Sequence, residues 1–308
     1  MILESLCREA GSLERALPRL IALKDAVAWE SDLNMTQRLS WYALVRDFKP
    51  DVIIELGRGY GNSTTVFTEA AQGLGHTEVH SFCNTPDWWT RTEPAVRKVA
   101  SAEWFAPLRL YLGDLTKLDF APIVAQAESV LLSWDAHGFA VAEHVLGHLM
   151  PLIATKRHLV ICHDIGDNRF RARKPYGGKS FWRGMDHWYQ AKEHPAYLNL
   201  GWAATIVDQI IPILDFCFRN GIELQSADFA FAEACRLHPE LKASLDRPLL
   251  EHLQKKLFHF AYLSLNDSPS PYHFPALSGP ETLARPVPRA RRTKDEGPGT
   301  DAIPTYRG

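Results

Sequence analysis

Asp51-Val52-Ile53-Ile54-Glu55-Leu56-Gly57-Arg58-Gly59-Tyr60-Gly61-Asn62-Ser63-Thr64 is the stretch on which the fold turns. A short apolar run halted by glycine reads as a strand buried on both faces, as in parallel sheets. Three glycines at alternate positions let the backbone turn sharply and approach a neighbour closely. Asn62 or Ser63 is placed to cap a following helix over 63–72. Strand, glycine turn and helix together open a βα unit.

The same strand signal recurs at 78–82, 108–112, 129–134 and 158–162, with helical stretches at 93–102, 121–127 and 140–153 between them. Alternation of this kind means an α/β fold with a parallel sheet. Upstream, Leu3, Leu6, Leu13, Ala16, Leu20 and Leu23 give a rough helical period over the first 34 residues, interrupted at Pro18. A second helix over 36–47 ends before Pro50. Downstream, 166–184 is a polar stretch, open to reading as a lid or as a plain surface loop. Helices are expected at 182–192 and 205–220, the latter stopped by Gly221, then a strand at 222–226 and a helix at 249–265. Eight of the 20 prolines fall in the last 43 residues, with Arg289-Ala290-Arg291-Arg292 among them. That composition predicts a disordered or draped tail. The expected division is a helical N-terminal extension over 1–48, a sheet domain over 49–265 and a proline-rich tail over 266–308.

Bulk composition narrows the function classes. A content of 46% hydrophobic and 23% charged residues suits a globular chain with a sizeable core. A net charge of −2 gives no sign of a nucleic-acid partner. The first ten residues carry Glu4, Arg8 and Glu9, unlike a signal peptide, and no apolar run is long enough to span a membrane. Five widely spaced cysteines, with no CxxC pair, argue against a disulfide scaffold or zinc ribbon and fit a reducing, cytoplasmic setting. Aromatics in polar contexts, as in Asp87-Trp88-Trp89, suit either a ligand cleft or an ordinary half-buried site.

In an open parallel sheet, ligands bind outside the carboxyl ends of the strands. The residues there are Glu55 to Ser63, then Asn84, Asp114, Asp135-Ala136-His137 and His163-Asp164. The first loop reads Gly57-x-Gly59-x-Gly61, not the GxGxxG of a dinucleotide fingerprint. Glu55 favours a ligand bearing a cation over a diphosphate, and adenosylmethionine, with its ammonium and sulfonium, is such a ligand. A mere tight βα turn is the alternative. Asp135 and Asp164 converge on one rim, where like charges repel unless a cation such as Mg²⁺ compensates. One helix cap and one solvated carboxylate is the plainer reading. His137 is a candidate general base, and His163 a candidate metal ligand. No GxSxG elbow is present, which disfavours a serine triad.

The segment from Ile53 to Thr64 resembles motif I of class I adenosylmethionine-dependent methyltransferases. Trp134-Asp135-Ala136-His137-Gly138-Phe139 and Leu159-Val160-Ile161-Cys162-His163-Asp164 look like the methyltransferase 24 group, which holds macrocin and cephalosporin-type O-methyltransferases. The resemblance covers about 49–164. It implies a Rossmann-like, doubly wound, mostly parallel seven-stranded sheet. It also implies Glu55, Gly57 and Gly61 against the cofactor's methionine part and Asp114 near its adenine, with Gly59, Ser63 and Asp135 as further cofactor-binding candidates. Asp135 and Asp164 match Mg²⁺-binding positions, and His137 lies near the position of a base. It further implies O-methylation of a small hydroxylated acceptor such as a sugar or phenol, with no nucleic-acid or membrane partner; a homo-oligomer is left open. Two departures stand out. The second strand ends Phe82-Cys83-Asn84, where the group usually offers an acid to the ribose, leaving Asn84 or Asp87 for that contact. Ile165 follows Asp164 where catechol-type relatives have Asn. The competing readings are a nicotinamide-dependent oxidoreductase and a non-catalytic module that kept the fold.

Overall fold

The computed structural model describes residues 1–29, 33–163, 210–226, 231–253, 260–267, 272–275 and 283–289. Its centre is a seven-stranded sheet in the order β3-β2-β1-β4-β5-β7-β6. The strands are β1 Val52–Leu56, β2 Glu78–Cys83, β3 Leu108–Leu112, β4 Ser129–Trp134, β5 Arg157–His163, β6 Gln225–Ser226 and β7 Phe260–Leu263. Strands β1 to β5 run parallel. Strand β7 is antiparallel to both β5 and β6. The expected α/β, mostly parallel seven-stranded sheet is therefore present.

Side chains alternate across this sheet. Ile53, Val79, Leu131 and Leu159 face one layer; Ile54, Phe82, Leu132 and Val160 face the other. Every residue of β1 and β4 is buried, which is why both read as mostly apolar runs, with Glu55 and Ser133 as buried polar exceptions. The first layer holds α1 Ile2–Arg8, α2 Ala10–Val27, α3 Met35–Phe48 and α4 Asn62–Leu74. One apolar cluster runs from these N-terminal helices into β1 and α4. The second layer holds α6 Ala121–Val124, α7 Phe139–His144, α8 Met150–Ile153 and helix Ile210–Arg219.

Helix α3 opens with a capping box: Asn34 Oδ1 accepts from the Gln37 amide at 3.0 Å, and Gln37 Oε1 accepts from the Asn34 amide at 2.9 Å. It ends at Lys49, in the left-handed region just before Pro50. Pro18 does not interrupt the upstream helix. The break falls at Glu9, and Pro18 lies inside α2. An interior proline costs about 3 kcal/mol. Burial of Leu13, Leu17, Leu20 and Leu23, each contributing about 1.5–3 kcal/mol, outweighs that cost.

Other expected elements are corrected. The helix at 93–102 is only α5, Glu93–Val96, preceded by a π-helical turn over Trp88–Thr92. The helix at 121–127 is only α6. The helix at 140–153 divides into α7, a π-helical turn Val145–Leu149 and α8. Pro151 in the first turn of α8 lacks the amide that would continue a regular ladder, and the widened turn absorbs the loss. The helix at 249–265 is a short helix Arg247–His252 followed by β7. Pairing of Phe260–Leu263 with Val160–His163 overrides the helical period there. The strand at 222–226 shrinks to the two residues of β6. Helix Ile210–Arg219 does stop as expected, with Gly221 at φ 61°. The readings of 166–184 and 182–192 fall outside the described residues. No helix among the described residues is long and apolar enough to cross a membrane.

Within the tail, 283–289 lies along the outer edge of the sheet. The Ala284 amide donates to Lys117 O, the Asp119 amide to Ala284 O and the Arg289 amide to Leu110 O, each at 2.8 Å. β3 is an edge strand, and an uncovered edge invites pairing with another chain. A chain ending at 282 is expected to lose about 1.5–4.5 kcal/mol, at 0.5–1.5 for each of three hydrogen bonds. Urea melts with light scattering measure both the loss and the exposed edge. An unchanged midpoint would show that the tail contributes nothing there.

Candidate active site

The sheet order reverses beside β1, which has β2 on one side and β4 on the other. The chain leaves β1 for α4 in the first layer and leaves β4 for α7 in the second. The two loops part to opposite faces and leave a crevice, the usual ligand position in such sheets.

The β1 loop is built from three glycines at φ 97°, 51° and 91°. The amides of Gly57 and Arg58 both donate to Phe82 O, at 3.0 and 3.1 Å, and the Gly61 amide closes a turn onto Arg58 O at 2.8 Å. A Cβ on Gly57 would lie 2.7 Å from Ala136 N and from the Asp135 carbonyl carbon. Gly57 thus lets the β1 loop pack directly on the β4 loop. A Cβ on Gly61 would strike the Trp88 ring, while one on Gly59 would meet open space. Trp88 is fully buried, so that aromatic belongs to the floor of the loop; Trp89 is half-buried, 4.8 Å from Arg58 and 4.9 Å from Arg289.

Neither Asn62 nor Ser63 caps α4, contrary to the sequence expectation; Gly61 is the N-cap, and no side chain closes that end. Asn62 is held by buried Arg38 of α3, which donates to its backbone oxygen at 3.3 Å and to its Oδ1. Burial pushes the Arg38 guanidinium down to about 10. Ser63 instead donates to Glu55, as do Thr64, at 2.7 Å, and Ser81. The register explains the last contact, since Glu55 and Ser81 are cross-strand partners. Arg58 reaches the same cluster, donating to Ser81 Oγ at 3.1 Å and Ser81 O at 2.7 Å. Glu55 is wholly buried, so its carboxylate ties β1, β2 and α4 together.

Desolvation raises the Glu55 pKa above its ordinary 4.5 despite three hydroxyl donors and nearby Arg58. For an acid whose folded pKa is raised, the protonated form favours folding. That stabilisation is complete below pH 4.5 and is lost as pH climbs through the folded value. The stability of Glu55→Gln relative to wild type is therefore expected to rise as pH increases from about 4.5 toward neutrality. Paired thermal melts across that window measure it; parallel profiles would show that Glu55 keeps one charge state throughout.

At the end of β4, the Asp135 amide donates to Leu56 O at 2.8 Å and Trp134 Nε1 to Ala136 O at 2.9 Å, which fixes the turn. Asp135 Oδ1 lies 3.1 Å from His163 Nδ1 and 4.0 Å from His137 Nε2. Asp135 and His137 are 19% and 21% exposed, whereas His163 is buried. Its Nε2 lies 3.5 Å from Gln37 Nε2. Exposed Asn84 and Asp114 stand farther along the rim, where the Gly113 amide joins the two strand ends through Cys83 O. Asp114 Oδ1 accepts from the Thr116 amide and hydroxyl, at 3.0 and 2.7 Å.

The structure thus brings Gly57 against the backbone of Asp135 and Ala136, and sets His137 and His163 beside the Asp135 carboxylate. Asp164 lies outside the described residues. Among the described residues, no three His, Cys, Asp or Glu side chains form a metal-holding group. Of the three expected metal ligands, Asp135 presents a carboxylate to the crevice, while His163 faces Asp135 and Gln37 with its two ring nitrogens. Sequence reasoning missed Gln37, Arg38 and Arg58 as parts of this site. The Asn34-x-x-Gln37 capping pattern was the one signal in the chain that marked Gln37.

No family model matches the chain, and no curated protein matches it. Solved structures resemble it weakly. Cofactor-bound Rv0187 from MTB has 12% identity and a TM-score of 0.45, covering 82% of this chain and 91% of that one. The SAH-bound Podospora anserina methyltransferase PaMTH1 has 14% identity and a TM-score of 0.42, covering 79% and 87%. The O-methyltransferase TomG from Streptomyces achromogenes, in complex with SAM, has 12% identity and a TM-score of 0.41, covering 70% and 83%. These likenesses are slight.

Proposed function

We propose that the chain is an adenosylmethionine-dependent methyltransferase that methylates a hydroxyl of a small acceptor, a sugar or phenol. The observation that carries this reading is the packing of Gly57 on the Asp135–Ala136 backbone beside β1, with His137 4.0 Å from the Asp135 carboxylate. The N-terminus of α4, which no side chain caps, supports it, since such an end suits the carboxylate of an amino-acid moiety. Open space beside Gly59 leaves room for a ligand to approach the backbone. A dinucleotide-binding sheet has the order 3-2-1-4-5-6 with an acid after its second strand. Here antiparallel β7 enters beside β5, and Asn84 stands where that acid would be, so a nicotinamide reaction fits less well.

When bound, the cofactor supplies a methyl group on a sulfonium sulfur. His137 would serve as the base that takes the acceptor's hydroxyl proton. Asp135, 4.0 Å away, offsets the positive charge that His137 gains. The glycine loop admits the ligand close to the backbone, and Trp88 beneath Gly61 keeps that loop rigid. Were Mg²⁺ to take part, Asp135 and Asp164 would be the residues to offer it oxygen donors, and it would supply Lewis acidity toward the acceptor hydroxyl.

Calorimetric titration with adenosylmethionine, with and without Mg²⁺, tests the reading. Saturable heat is expected. Silence at millimolar cofactor would remove the enzyme, and binding indifferent to metal would remove Mg²⁺ from the mechanism.

A further inference from the structure

We propose that Gln37 is a positioning residue that sets which ring nitrogen of His163 carries the proton, and so fixes the carboxylate of Asp135. The Asn34 amide can only donate, so the Gln37 side-chain atom 2.9 Å from it is the oxygen. The other terminal atom of Gln37 is then its amino group, a donor without acceptor capacity. That group faces His163 Nε2 at 3.5 Å, and two donors cannot share a hydrogen bond. His163 Nε2 is therefore bare, and the proton of the neutral ring sits on Nδ1. Nδ1 faces Asp135 Oδ1 at 3.1 Å, where that proton completes a hydrogen bond to a carboxylate. Gln37 and His163 are each 1% exposed, so no bulk solvent competes for this arrangement. Trp41, edge-on to the His163 ring at 5.5 Å, holds its plane.

Two consequences follow. The N-terminal helices reach the site, because α3 supplies the amide group that orients His163 against Asp135. His163 is also a support for Asp135 and not a metal ligand, since a cation on Nε2 would meet the Gln37 amino group. The proton assignment stands on geometry alone; its bearing on catalysis rests on the methyltransferase reading.

Long-range ¹H–¹⁵N spectra of histidine-labelled protein read the assignment directly. In wild type, His163 is expected to show a protonated Nδ1 and a bare Nε2. Gln37→Glu keeps an oxygen for the Asn34 amide, so the capping box survives, and places a second oxygen opposite Nε2. That variant should acquire a proton on Nε2, a change a purely structural glutamine would not produce. Gln37→Leu removes the donor and should leave a mixture of ring forms. A wild-type ring protonated on Nε2, or a Gln37→Glu ring unchanged, would overturn the proposal. A protein that gives no heat with adenosylmethionine yet shows the expected ring states would sink the enzyme reading and leave this one standing.

Discussion

Gly57→Ala is expected to destabilise the fold by about 2–6 kcal/mol and, on the proposed function, to abolish cofactor binding, while Gly59→Ala costs only about 1–2 kcal/mol. The estimate adds about 1–3 kcal/mol for holding alanine at φ 97° to about 1–3 for forcing an atom into filled space. The space is filled by backbone. A new Cβ would sit 2.7 Å from Ala136 N and 2.9 Å from Asp135 O. That segment is anchored through the Asp135 amide to Leu56 O, so relief would open the β1–β4 junction. Gly59 differs on both counts. Its φ of 51° lies in the left-handed well, at roughly 1–2 kcal/mol for a side chain, and a Cβ there meets nothing within 4 Å. Urea unfolding of the two variants, followed by cofactor titration, separates these effects. A Gly57→Ala protein within 1 kcal/mol of wild type would show that the two loops are less tightly joined than their contact distances imply.

The five parallel strands were legible because each is a short, mostly buried and largely apolar segment between turn signals, even where Glu55, His80, Arg109 or Ser133 interrupts it. Strand β7 was not. Its four residues follow a true helix, and only pairing with β5 gives them an extended partner. The rim residues were legible for a topological reason: whatever follows a parallel strand reaches the same edge. Their partners were hidden. The contacts of Glu55 depend on its register with Ser81 and on where α4 begins. Arg38 and Gln37 lie 24 to 126 residues from the groups they hold, and no local pattern encodes such a distance. The capping box of α3 could be read as a helix start, but not that its glutamine would face the histidine closing β5.

Asp135→Asn should lower methyl transfer by roughly 10²–10³-fold with little change in stability. A unit charge 4.0 Å from a developing imidazolium contributes about 4 kcal/mol at an effective dielectric near 20, close to a factor of 10³. Both groups are about one-fifth exposed, and solvent screening trims the expected loss to the lower part of that range. Stability should hold because the asparagine oxygen can still accept from His163 Nδ1, and the Asp135 amide bond to Leu56 O is untouched. The predicted signature is therefore a fall in kcat with the thermal midpoint within a few degrees of wild type. The product S-adenosylhomocysteine, formed in the presence of a catechol or a sugar diol, is the quantity to follow. His137→Ala should give a comparable loss, and the double variant little more than either alone, because the two residues act on one proton. Multiplicative losses would mean that the carboxylate and the imidazole serve different steps, and Asp135 would then have to act on the cofactor or a metal in place of the base.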